Sequence, residues 1–258
     1  MTSFSRLVTG FDPTAEFVPP AEWSQGRTVY GGLSSALAFH AAKRSAPRDL
    51  PPLKSAQICF VGAASGSLRF TTQLLRQGKS ATAIAVDCLS GSDIALRATF
   101  LCAAPRSNPV THDYAPPPSV AAADSCRRFA FPAAAPAFIA NFDVRFVGSS
   151  LPVSGSDKAE LLAWVRHHDA TGIDPAVALI GLADCLPPAA MATFSDFVPV
   201  SSMLWTFDLP QPAKAGQWHL LRSTSVKAQD GYSFQTMEIW DEGGTLILSG
   251  SQTVAIFG

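Results

Sequence analysis

The chain has 258 residues, 47% of them hydrophobic and 15% charged, with a formal net charge of −1. This balance excludes a disordered chain and supplies apolar mass for one large domain or two of about 100–150 residues each. With no Lys/Arg run to build a basic patch, nucleic acid is excluded as a main partner. No apolar run approaches the ~18 residues that span a bilayer, so no membrane association is expected. The start, MTSFSRLVTGFDPTAEF, has no basic stretch leading into an apolar one, and the expectation is a soluble cytoplasmic protein. The five cysteines (Cys59, Cys88, Cys102, Cys126, Cys185) are odd in number, widely separated and free of CxxC spacing. Neither a disulfide framework nor a metal site is indicated.

In chain order, a short strand-like start, FDPTAEFVP, leads to GRTVYGGLSSALAFHAAKRSAP, which predicts a helix opening at Gly31-Gly32 and closing at Lys43-Arg44 before Pro47. Alternating β-type runs follow in KSAQICFVGAA, SLRFTTQLLRQGKSATAIAVDCLSG and DIALRATFLCAA. A Pro/Ala-rich linker over 106–125 separates this unit, 1–105, from a second, 126–258. There FIANFDVRFVG and AELLAWVRHHD predict strands. GIDPAVALIGLADCLPP predicts a helix with Asp174 as N-cap, Pro175 in the first turn and Pro187-Pro188 as terminators. VPVSSMLWTFDLP, GQWHLLRSTSVKAQDG, YSFQTMEIWDEGG and TLILSGSQTVAIF complete the second set of strands.

Each half therefore reads as strand, one apolar helix, then a long antiparallel meander. A helix apolar on nearly all sides must be covered all round, and a curved antiparallel sheet wrapped about it does so with few residues. The predicted fold is α+β, a double hot-dog whose two sheets join and so remove two exposed edges. On GRTVYGG, LLRQGKSATAIAVDC, LADCLPPA and SGSQTVAIF, in that order and spacing, the whole chain resembles the type II acyl-CoA thioesterases. The resemblance implies hydrolysis of acyl-CoA without a cofactor, by an Asp, a Thr or Ser and a Gln that hold and activate water. The matching acid and amide are Asp184 and Gln252. Val200 stands where the family's hydroxyl would fall, which leaves Ser202, on the same strand face, and Ser201, on the other. By analogy with other hot-dog units, a homo-oligomer, dimer or larger, is expected.

The residues support the pairing independently. Asp184 lies one turn after Ile180 and two after Val177 on an apolar stripe, so its carboxylate needs a hydrogen-bonding partner. The period-2 face Leu246, Leu248, Gly250, Gln252, Val254, Ile256 is apolar except for Gln252, which predicts that the two lone polar groups meet. A helix opening at Gly31-Gly32 has no side-chain cap, so the backbone N–H groups of Gly32 and Leu33 are candidate oxyanion donors. Plain structural roles compete with each of these: a brace at the helix end for Asp184, a sheet-stabilising amide for Gln252, close helix packing for Gly31 and Gly32. His167-His168 point to opposite strand faces and do not form a metal site. Arg76, Lys79, Arg222 and Lys227 read as solvated charges, with contact to CoA phosphates as the sharper alternative. A dehydratase would need a histidine near the first helix start, and a serine hydrolase a G-x-S-x-G elbow; neither occurs. The remaining rival is a non-catalytic acyl-CoA or fatty-acyl binding protein.

Overall fold

A computed structural model describes residues 2–107, 109–214 and 218–257; Asn108 of the linker and Gly216-Gln217 at the head of the predicted GQWHLL strand lie outside them. The first element, α1 (Phe4–Gly10), is not anticipated from the sequence. Seven residues are too few to hold a helix by propensity alone, so packing decides it: Phe4, Leu7 and Val8 form one buried face, and Ser3 caps the start by accepting from the Arg6 N–H. The strand expected over FDPTAEFVP reduces to a single bridge, Phe17 to Leu68, because Pro13, Pro19 and Pro20 remove donors around it. A two-stranded ribbon, β1 (Ser24–Gln25) with β2 (Thr28–Val29), then delivers the chain to α2 (Gly31–Ser45).

The remaining elements follow the predicted order: β3 (Leu53–Phe60), β4 (Leu68–Gln77), β5 (Ala81–Ser90) and β6 (Asp93–Ala103) in the first half. The second half contains β7 (Phe142–Phe146), β8 (Glu160–His167), α3 (Pro175–Ala183), β9 (Val200–Asp208), β10 (His219–Gln229), β11 (Tyr232–Asp241) and β12 (Leu246–Ile256). The start of FIANFDVRFVG is a 3-10 turn, Ala137–Asn141, rather than strand. An Asp230-Gly231 pair, both at positive φ (54° and 77°), turns β10 into β11.

β3 to β12 form one antiparallel sheet in the order β4-β5-β6-β3-β9-β12-β11-β10-β8-β7. The halves join where β3 pairs with β9, Ile58 opposite Trp205. This is a double hot-dog: α2 and α3 pack against each other beneath the sheet, with Leu33, Leu37, Val177 and Ile180 wholly buried. Burial of so many apolar side chains between two helices and one sheet is the main stabilising term.

α3 stops at Ala183, short of the predicted terminators Pro187-Pro188. The Cys185 N–H tightens onto the Leu182 carbonyl (3.0 Å) in a last 3-10-type turn, so Asp184 sits at the C-cap rather than inside the helix. The described residues of the linker between 104 and 122 have no regular structure, yet they are clamped: the indole N–H groups of Trp240 and Trp164 donate to the carbonyls of Ala115 and Ala121, each at 2.9 Å. Among the described residues no helix is long and apolar enough to cross a membrane.

Candidate active site

Asp184 and Gln252 meet as their apolar surroundings require. The Gln252 side-chain amide donates from Nε2 to Asp184 Oδ1 across 2.8 Å. Gln252 is only 4% exposed, and β-sheet register fixes its neighbours on the same inner row: Trp205 on β9 to one side and Gln235 on β11 to the other. Asp184 is half-buried as a residue, and its surroundings strip the carboxyl group of much of its hydration. Burial raises its pKa to about 7, against the lowering effect of Gln252 and of the Gly32 backbone N–H.

The start of α2 faces this acid. No side chain caps α2, and an atom added at Cβ of Gly31 would lie 2.8 Å from Asp184 Oδ2 and 3.2 Å from the Phe60 ring. Glycine is what allows a carboxylate to come so near a helix N-terminus. The Gly32 N–H is directed at the acid, which differs from the expectation of a donor held in reserve for an oxyanion. Leu33, next in the same uncapped turn, is fully buried. The aromatic residue before the turn locks the two helices together: Tyr30 donates its hydroxyl to the Gly181 carbonyl at 3.1 Å and stacks on Phe138 at 4.0 Å. That carbonyl is free to accept because the terminal turn of α3 is tightened.

The two serines separate. Ser202 lies on the inner face of β9 opposite Val254, half-buried, whereas Ser201 is exposed on the other face opposite Ala255. A bulge at Met203 lies between Ser202 and Trp205. Among the described residues neither serine hydrogen-bonds to Asp184 or Gln252. Val200, opposite Ile256, offers no hydroxyl.

Gln235 is a polar member of the site that sequence reasoning missed. Its Nε2 donates to Gln252 Oε1 at 2.8 Å, and its Oε1 accepts from the Ala189 backbone N–H at 2.9 Å. The signal was present: along YSFQTMEIW the alternate residues Ser233, Gln235, Met237 and Ile239 are all buried, making a second inward face with a lone amide.

Several other candidates are drawn elsewhere. Arg222 is occupied by Glu238 and lies over the Trp240 ring at 5.0 Å. Arg76 and Lys79 are exposed on and beyond β4. His167 is bonded through Nε2 to the Ala178 carbonyl at 2.8 Å, and among the described residues no group of three could hold a metal ion. Cys185, beside the acid, is fully buried, and burial holds its thiol well above the usual range. It is therefore a poor nucleophile.

The other pairing of helix ends is closed. At the start of α3, Asp174 accepts from the N–H groups of Ala176 and Val177, and Lys43 near the end of α2 pairs with Asp174. The uncapped turn at Gly31 has no counterpart there, so the described residues present one such site rather than two.

Comparisons with known proteins agree with this architecture. A family model for the acyl-CoA thioesterase N-terminal domain matches residues 19–103, and one for the C-terminal domain matches 114–256. A comparison with curated proteins returns no match. Among solved structures, a conserved protein of unknown function with a hot-dog fold from Alicyclobacillus acidocaldarius is similar at a TM-score of 0.84 and 20% identity, over 94% of this chain and 92% of that one. An acyl-CoA thioesterase II from Mycobacterium marinum is similar at 0.74 and 18%, over 93% and 91%. The tesB protein of Mycobacterium avium subspecies paratuberculosis is similar at 0.76 and 16%, over 93% and 91%. With the C-terminal model alone spanning more than half of the chain, the protein belongs to the acyl-CoA thioesterase family.

Proposed function

We propose that this protein hydrolyses acyl-CoA thioesters to the free acid and CoA, with Asp184 as general base for an attacking water. The observation that supports this most strongly is the half-buried carboxylate between Gln252 and an uncapped helix start, with its pKa raised to about 7. A base of that strength changes charge in the working range of a cytoplasmic hydrolase. Oδ1 is engaged by Gln252, so Oδ2, on the Gly31 side, takes the proton. The second N–H of the Gln252 amide holds the water oxygen, and Ser202 is the hydroxyl assigned to help orient it.

In the reaction, the water oxygen forms a bond to the thioester carbonyl carbon while its proton passes to Asp184. The carbonyl oxygen becomes an oxyanion, for which the Leu33 N–H and the α2 dipole are the proposed support. Collapse breaks the carbon–sulfur bond, and the proton leaves with the CoA sulfur. The start of α2, RTVYGGLSS, carries no histidine, which disfavours dehydration. Association of two or more copies belongs to the same proposal; Leu204 and Phe234, 43% and 45% exposed on the outer face of the sheet, support it.

The test is a panel of CoA esters of graded acyl length, assayed with a thiol-trapping reagent. Asp184→Asn is expected to lower kcat by about 10²–10⁴-fold while the protein stays folded. Tight acyl-CoA binding without turnover by the parent protein would overturn the proposal in favour of a binding module, the reading that Val200 supports.

A further inference from the structure

We infer that Gln235 is a positioning residue: it fixes which end of the Gln252 amide faces Asp184. This rests on the reading of Asp184 as the base.

A glutamine amide is nearly the same shape after a half-turn about its last torsion, but the half-turn exchanges a carbonyl acceptor for an NH₂ donor. Gln252 could therefore present either end to the carboxylate. An Nε2–H favours the ionised acid; an Oε1 repels it and favours the protonated form. The ladder that places Gln252 beside Asp184 does not decide between them.

The decision comes from a backbone group. A backbone N–H can only donate, so the Gln235 atom 2.9 Å from the Ala189 nitrogen must be Oε1. Gln235 then has only its NH₂ to offer to Gln252, whose facing atom 2.8 Å away must be Oε1. Gln252 is left with Nε2 toward Asp184, again at 2.8 Å. Each link admits one orientation once the first is set, and both amides are only 4% exposed. Water therefore offers little substitute for a broken link, and turning either amide leaves buried donors facing donors and acceptors facing acceptors.

The Ala189 N–H is available for this purpose by construction. Pro188 is the N-cap of the 3-10 helix Ala189–Thr193, so the Ala189 N–H has no partner within that helix. Ala189 is wholly buried, and the Gln235 carbonyl is its acceptor. Pro188 thus has a role other than ending α3: as N-cap of this short helix it leaves the Ala189 donor to Gln235. The titratable neighbours whose charges act on or are acted on by Asp184 are Tyr30, before α2, and Cys185, after α3; burial pushes both pKa values well upward, so both stay neutral as the acid titrates.

The experiment compares pH profiles of kcat/KM for the parent, Gln235→Met, Gln235→Glu and Ala189→Pro. Gln235→Met keeps the volume and removes the relay, and its acidic limb is expected to move up by about one pH unit, which is about a tenfold loss at pH 6 and none on the alkaline plateau. Gln235→Glu, an acceptor when ionised, is expected to turn the Gln252 amide round and move the limb further. Ala189→Pro removes the initiating donor, with ring carbon in place of its hydrogen, at a position where proline suits a helix start, and keeps the test alive if a Gln235 variant does not fold. KM is expected to stay within about twofold throughout, because Gln235 does not touch substrate. A limb that stays at the parent midpoint in every folded variant overturns the inference, even if Tm falls. Substantial activity in Asp184→Asn would instead overturn the reading of the base, so the two failures are distinguishable.

Discussion

Gln252 Nε2 lies 2.8 Å from Asp184 Oδ1, joining the terminal strand to the end of α3 across 68 residues of sequence. That bond and the Gly32 N–H lower the acid's pKa, yet burial outweighs both and leaves it near 7. The expected kcat/KM therefore rises about tenfold per pH unit on the acidic side and levels off above about pH 7. A profile flat from pH 5 to 8 would rule out this carboxyl as the titrating base.

The same shift has a consequence for stability. A carboxyl whose native pKa lies above its unfolded value holds its proton longer when folded, so stability falls as pH rises from about 4 to 7. Asp184→Asn escapes that fall. Its Tm is expected to match the parent near pH 4 and to exceed it by a few degrees at pH 8, measured by calorimetry in matched buffers. An equal Tm difference at both values would contradict the raised pKa.

Substitutions at Gly31 and Gly32 are expected to separate catalysis from folding. In Gly31→Ala the new methyl would sit 2.8 Å from Asp184 Oδ2, displacing the acid, while alanine favours the helix. The expected result is at least a tenfold loss of kcat with little loss of Tm. In Gly32→Ala the methyl would meet the buried Tyr30 hydroxyl at 2.4 Å and its ring at 2.5–2.7 Å, and overpacking of about 1–3 kcal/mol should appear as a lower Tm. Chemical denaturation beside a thiol-release assay distinguishes the two.

Tyr30→Phe removes the hydroxyl that satisfies the Gly181 carbonyl at 3.1 Å. The carbonyl is left buried without that donor, at a cost of about 1–3 kcal/mol in urea unfolding. No change in the unfolding midpoint would mean that the contact does not brace the two helices.

Asp174→Ala tests whether the opposite helix pairing matters to catalysis. Loss of the N-cap of α3 should cost about 1 kcal/mol, lowering Tm by about 2–4 °C. Activity should stay within about twofold of the parent. A collapse of kcat to the level of Asp184→Asn would show that a second site contributes.

The sequence by itself determined that two central helices exist, where they begin, the order of the meanders and the joined sheet, because apolar periodicity and the Gly and Pro positions leave few other ways to cover two greasy helices. It also determined that Asp184 and Gln252 would meet: each is a lone polar group on an inward apolar face, and such groups are costly unless paired. Only the tertiary structure decided where α3 ends, since the Cys185 to Leu182 turn takes over before Pro187 acts. It alone turned the Gly32 N–H toward the acid, separated Ser202 from Ser201 across the sheet, and supplied Gln235 as the link from Ala189 to Gln252. Local patterns record which side chains are buried, but the direction of a hydrogen bond depends on partners that only folding brings together.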